Sequence, residues 1–257
     1  MPTPFFHLSL AQEILAQPDL PAPLRHLEPE ARAAFWLGST APDLSAVSGQ
    51  ARPATHFFNV PIPRDEAPPW QGLFQQHPYL AQAAQLPQVL AAFVAGYVCH
   101  LQADYFWVQQ VFWPSFRPSL ADAAALELRH NVLRVYQERQ VLDDLNGQVR
   151  TELGRAPVVF DGLPFLHAAD LRLWRDRLAS QLGPGAENAT IQIFAARQGI
   201  TPTAFYDLLA SPTRLQAEVF SRVPPHTLED YRQAVLRANY ALLRRYYAPN
   251  RFAKEML

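Results

Sequence analysis

The chemistry in this sequence rests on a few isolated polar side chains. The segment HLQAD places His100 four residues before Asp104, and on a helix that spacing sets an imidazole and a carboxylate on one face, one turn apart. Asp104 is the only residue from Ala67 to Phe116 that is charged at neutral pH with histidine counted neutral, and Asp43 is the only one from Ala33 to Ala51. Pro53 to Pro63 holds no charge at all but contains His56. Desolvating a carboxylate costs several kcal/mol unless a partner compensates it. Two partners suit Asp104: a histidine hydrogen-bonded to it inside the core, or a divalent cation that neutralises the acid and binds the imidazole nitrogen. His7, Asp43, His56, His100 and Asp104 form an ordered series of potential ligands. Each also has a plain structural use: His7 on the surface, Asp43 capping a turn, His56 as a satisfied loop histidine, and His100 with Asp104 as a core pair.

The elements that must position these groups read as helices joined by proline-rich turns. Phe6, Leu10 and Ile14 step along one face of a first helix over Phe5 to Ala16, ended by Pro18, Pro21 and Pro23. Glu28 to Leu37 forms a second, with Pro29 in its first turn and Gly38 suited to its C-terminal cap. Residues 49 to 70 read as an ordered loop, because Phe57, Phe58, Val60 and Ile62 need burial. The longest apolar helix runs from Gln88 to Phe112, closed by Pro114 and Pro118, and carries the HLQAD pair. An amphipathic helix follows over Leu120 to Leu145, and later helices are predicted over Leu166 to Leu182, Glu187 to Gln198, Pro202 to Leu209 and Thr227 to Tyr247. No convincing strand alternation is present, so the expected fold is all-α, a single domain over the whole chain.

Composition narrows the function. The 257 residues are 49% hydrophobic, ample for a core, and 22 basic against 23 acidic residues leave a net charge of -1. That balance predicts no stable nucleic-acid partner and no electrostatic membrane binding. Cys99 is the only cysteine, which excludes an intrachain disulfide and a cysteine-based zinc finger, so a metal site must be built from His, Asp and Glu. The start, MPTPFFHLSLAQEIL, lacks a basic leader region, and the apolar run from Val89 to Leu101 is short against the about 20 residues that span a bilayer; the expected location is the cytoplasm. No histidine is followed by aspartate and no GxSxG occurs, which sets aside an HD-type phosphohydrolase and a serine hydrolase.

A histidine at the start of the first helix, then FWLGSTAPD, then THF, then AGYVCHLQADYFW resembles the bacterial zinc-dependent phospholipase C family, whose all-α fold and three-zinc scheme are shared with P1/S1-type nucleases. The resemblance covers about residues 1 to 113. It implies that Asp43, His56, His100 and Asp104 bind one Zn2+, that Asp104 bridges to a second held also by His7, and that Asp43 is a candidate general base. The sequence departs from the family at the third ion: Gln110 stands at the spacing of a family histidine, and His130 is followed by Arg134 where the family has HxxxE. Glu127 and His130, in ELRH, offer a substitute pair in reverse order. The expectation is one tight zinc, a second weaker one and no third. The expected activity is hydrolysis of a phosphodiester or phospholipid by a metal-activated water, with transient membrane contact; the alternatives are a P1/S1-like nuclease and a non-catalytic metal-binding member that holds a phosphorylated or lipid partner. Tyr105, beside Asp104, is the aromatic residue best placed to line a pocket.

Overall fold

The computed structural model describes residues 1–59, 67–116, 122–145, 147–183, 186 and 189–248. Among them the chain is all-α, with no strand. The main helices are α1 (Pro4–Leu15), α2 (Pro29–Gly38), α3 (Arg52–His56), α4 (Pro69–Gln76), α5 (Gln88–Trp107), α6 (Ala123–Leu142), α7 (Gly147–Leu153), α8 (Ala168–Gln181), α9 (Thr190–Gln198), α10 (Thr203–Leu209) and α11 (Pro225–Tyr246). α5 is the central rod. It is apolar on all sides rather than along one stripe, because α2, α11, α4 and α1 all pack on it. One buried apolar cluster runs from Phe5 to Tyr246 and takes residues from every helix named except α3.

α2 and α5 cross at unusually close range. A Cβ on Gly38 would stand 2.1 Å from the Phe93 carbonyl oxygen, and one on Gly96 would stand 2.3 Å from the Phe35 oxygen and 2.8 Å from the Ser39 nitrogen. Two glycines therefore let two backbones touch. This corrects the capping role expected of Gly38. It is the last residue of α2 itself, and Ser39 and Thr40 close the helix through their hydroxyls, donating to the carbonyls of Trp36 and Leu37.

Pro114 does not close the long apolar helix as expected. Over Val108–Phe112 the backbone widens to a π-turn, and a further helical turn, Trp113–Phe116, follows on the same rod. A π-turn re-registers the backbone hydrogen bonds, so the missing N–H of Pro114 falls where it does least harm. The stretch Gln88–Phe116 is long and apolar enough to cross a membrane by length and composition, but 83% of its most apolar window is buried inside the protein, as in a core helix. The segment expected as loop over residues 49 to 70 contains α3 and the start of α4; Phe58 is buried, whereas Val60 and Ile62 lie outside the described residues. So do Pro118, Leu120 and Glu187, the last two being expected helix starts. α7 was not foreseen; it packs on α2, where Glu152 accepts from Arg32 Nε at 2.7 Å.

Candidate metal centre

Four short-range arrangements bring the five polar residues of the first half together. α1 begins at Pro4, and its first turn sets His7 inside, 2% exposed. The chain leaves α2 through a 3-10 turn, Ala41–Leu44, with Pro42 near its start, and this turn carries Asp43. α3 is one turn long and ends at His56 because Phe57 adopts a left-handed conformation, φ 59°. A bulky residue there costs of order 1 kcal/mol, and the local packing holds it: the Tyr97 hydroxyl of α5 donates to the Thr55 carbonyl, and Thr55 Oγ1 donates to the Pro42 carbonyl at 2.8 Å. α5 supplies His100 and Asp104 one turn apart, as the HLQAD spacing requires.

The orientation of two rings follows from their other nitrogens. His100 Nδ1 lies 2.9 Å from the Ser39 carbonyl oxygen, to which it donates, and His56 Nδ1 lies 2.9 Å from Thr55 Oγ1. Both rings therefore turn Nε2 inward. His56 Nε2 stands 3.3 Å from Asp43 Oδ1 and 3.6 Å from Asp104 Oδ2, and His100 Nε2 stands 3.6 Å from Asp104 Oδ2. His7 Nε2 lies 3.4 Å from Asp104 Oδ1, and its ring stacks on that of His100 at 3.7 Å. Two triads of potential ligands result: His7, His100 and Asp104, and Asp43, His56 and His100, with the ligand atoms of each within 4.8 Å of one another. Asp104 is fully buried, while Asp43 keeps 14% of its side chain exposed.

The centre holds a feature not foreseen in the sequence. Arg52, at the start of α3, reaches both carboxylates, with Nη1 3.2 Å from Asp43 Oδ1 and Nη2 2.7 Å from Asp104 Oδ2. The signal was present: Arg52 is one of two cations between Ala33 and Phe116, and a buried acid needs a partner.

These surroundings set the protonation states. Burial, and next to it the charge on His100, pulls His7 down to about 4. Burial and the Arg52 guanidinium pull His56 down to about 4. Burial also works against the charged form of His100, but the negative charge of Asp104 beside it outweighs this and its pKa is raised. Burial opposes ionisation of Asp43 and Asp104 too; His56 and His100 respectively, with Arg52, overcome it and hold both carboxyls below the usual range. At neutral pH the centre thus holds two carboxylates and two neutral imidazoles. Nε2 of His7, His56 and His100 and Oδ1 of Asp104 are buried without a hydrogen-bond partner.

Glu127 and His130 are not brought to this cluster. His130 is buried, but its Nε2 accepts the Trp107 indole N–H at 2.9 Å, and its ring is boxed by Phe112 and Phe116. Glu127 is exposed. Arg134, one turn after His130, donates from Nη1 to Asn131 Oδ1 at 2.8 Å and stacks over Phe194 at 4.3 Å. Gln110 lies within the π-turn, partly exposed. Among the aromatic residues near the motifs, Phe35, Trp36 and Trp107 are core, while Tyr105 packs in a small apolar group with Phe58 and Val108.

No curated protein and no solved structure matches the chain. The residues that build the centre, His7 through Asp104, all fall within one matched segment. Over residues 6–107 the sequence matches the model of the zinc dependent phospholipase C family, and that match supports placing the chain with this family.

Proposed function

We propose that the protein is a zinc-dependent phosphodiester hydrolase of phospholipase C type. The observation that carries this reading is that three imidazole nitrogens and one carboxylate oxygen are buried without hydrogen-bond partners, on residues that fall in two triads of potential ligands sharing His100. Unpartnered buried polar atoms are costly and call for an explanation, and a tetrahedral ion with nitrogen and oxygen ligands supplies one. Asp43, His56, His100 and Asp104 would hold one zinc; His7 and the second oxygen of Asp104 would face another. His100 has only Nε2 to offer, since Nδ1 is engaged by Ser39, so it serves one ion. The chemistry that zinc supplies in such a site is a water acidified toward neutrality and positive charge against the phosphoryl oxygens.

The chain's own residues contribute the rest. Ser39 and Thr55 fix the rings, and Asp104 is sealed from solvent. Asp43 is the carboxylate that opens outward, and it stays ionised. It would orient the attacking water and accept its proton as the water oxygen bonds to phosphorus and the bond from phosphorus to the leaving alkoxide breaks, the proton then passing to that alkoxide; its low pKa makes it an orienting acceptor more than a proton store. Arg52, with 27% of its side chain exposed, can swing away from the carboxylates toward the phosphoryl group.

Two measurements test this reading. Elemental analysis after gel filtration should give one tightly held zinc per chain, a second lost first to mild chelation, and no third. Three zincs would show that Glu127 and His130 bind after all, and none would remove the hydrolase reading. Hydrolysis of bis-p-nitrophenyl phosphate should fall about 100-fold or more in Asp43→Asn, with the melting temperature reduced far less. A second reading, a metal-binding member without turnover, draws on His130 being engaged by Trp107 and on Arg134 standing at the expected glutamate position. A zinc-loaded protein inert toward phosphodiesters, phospholipids and single-stranded nucleic acid would favour it.

A further inference from the structure

Beside Asp43 a cavity of about 280 Å³ opens between the 3-10 turn, α6, α8 and α9. Four arginines, Arg52, Arg134, Arg177 and Arg197, are among the residues that line it, against a single acid, Asp43. Arg52 is paired with that carboxylate. Among the described residues no acid lies within ion-pair distance of Arg134, Arg177 or Arg197. Arg134 Nε is buried with no hydrogen-bond partner, and burial, the largest influence on it, draws its pKa down to about 10. Three arginines without an ion-pair partner, from three separate helices, thus face one hollow, with Arg134 Nε buried, Arg177 half-buried and Arg197 exposed. Arg134 is the desolvated member, and an anion beside it would offset the cost of its burial; a planar guanidinium matches phosphate and carboxylate oxygens pairwise.

We infer that this cavity is the seat for a second anionic group of the substrate, so that the preferred phosphodiester is one whose headgroup carries a further phosphate or carboxylate. This rests on the hydrolase reading for the identity of the ligand as substrate, but not for the binding of the anion. Asp43 belongs both to the cavity wall and to the metal centre, so a phosphodiester at the centre can set toward the arginines its headgroup, which phospholipase C-type cleavage leaves on the phosphate. The volume lies just below the roughly 300–1,000 Å³ of pockets that enclose whole small ligands, which suits a headgroup and excludes an entire lipid. A cationic headgroup such as choline meets three like charges there.

The test separates the seat from the chemistry. Full-length protein stripped of metal is titrated calorimetrically with myo-inositol 1,4-bisphosphate and with phosphorylcholine. The bisphosphate should bind at least about tenfold more tightly, and the Arg177→Gln/Arg197→Gln double variant should lose that preference with an unchanged melting temperature; both side chains reach solvent and lie outside the metal centre. Equal affinity for the two probes, or a double variant that binds like the parent, overturns the proposal. With zinc restored, dihexanoyl phosphatidylinositol 4-phosphate should be cleaved with a lower KM than dihexanoyl phosphatidylcholine, and the double variant should raise only the former. If neither lipid is cleaved while the binding preference persists, the anion seat stands and the hydrolase reading falls.

Discussion

His100→Ala should strip the protein of its tight zinc and lower its melting temperature by roughly 10 °C. The histidine belongs to both ligand triads, and its ring stacks on His7 and turns one nitrogen to Asp104. Removing one partner of a buried charged pair costs about 3–5 kcal/mol, and in a chain of this length each kcal/mol shifts the transition by about 2–4 °C. Arg52 still holds Asp104 at 2.7 Å, which keeps the loss toward the lower end. Zinc by elemental analysis and unfolding by calorimetry read the two effects separately. His130→Ala is the control. Its Nε2 is engaged by Trp107, so its zinc content should equal the parent's. A His100→Ala protein that retains parental zinc would refute the ligand set.

The second large effect involves no polar atom. Gly96→Ala forces a methyl group to within 2.3 Å of the Phe35 oxygen and 2.8 Å of the Ser39 nitrogen. Both are backbone atoms and cannot rotate away, so α2 and α5 must separate. Overpacking of this kind costs about 3 kcal/mol or more. The same movement carries the Ser39 carbonyl off His100 Nδ1, now 2.9 Å away, so zinc affinity should fall with stability although no ligand has changed. Gly147→Ala, where an added Cβ meets nothing within 4 Å, should leave both unaltered. If Gly96→Ala melts with the parent, the close crossing is not what orients His100.

These two expectations also mark where sequence reading reaches and where it stops. His7, Asp43, His56, His100 and Asp104 could be picked out because each stands nearly alone in an apolar stretch, and physical cost makes such isolation informative. HLQAD declares its own geometry, since helix periodicity fixes who faces whom. The all-α fold was legible for the same reason. Gly38 was not: a glycine after a helix looks like a cap, and only the position of Phe93 shows that it is a contact. Pro114 reads as a stop unless the π-turn ahead of it is known. Arg52 lies nine residues from one acid and 52 from the other, so nothing local ties it to them. Arg134, Arg177 and Arg197 of the cavity sit on α6, α8 and α9, beyond the segment that carries the family likeness, and their meeting depends on how those helices pack.

The bridge from Arg52 to Asp43 and Asp104 has a consequence for how the protein comes into being. Where a metal centre consists only of acids and imidazoles, the newly made chain faces mutual repulsion until an ion arrives, and folding waits on supply. Here a cation is encoded in the chain, so the repulsion between the two carboxylates is offset by the guanidinium that bridges them once α3 docks on α5. In the reading proposed above, the polypeptide can mature in a zinc-poor setting and be charged with metal afterwards, by exchange of one positive group for another. Its maturation would then be governed by how fast a side chain swings aside, and not by whether the metal was present at birth.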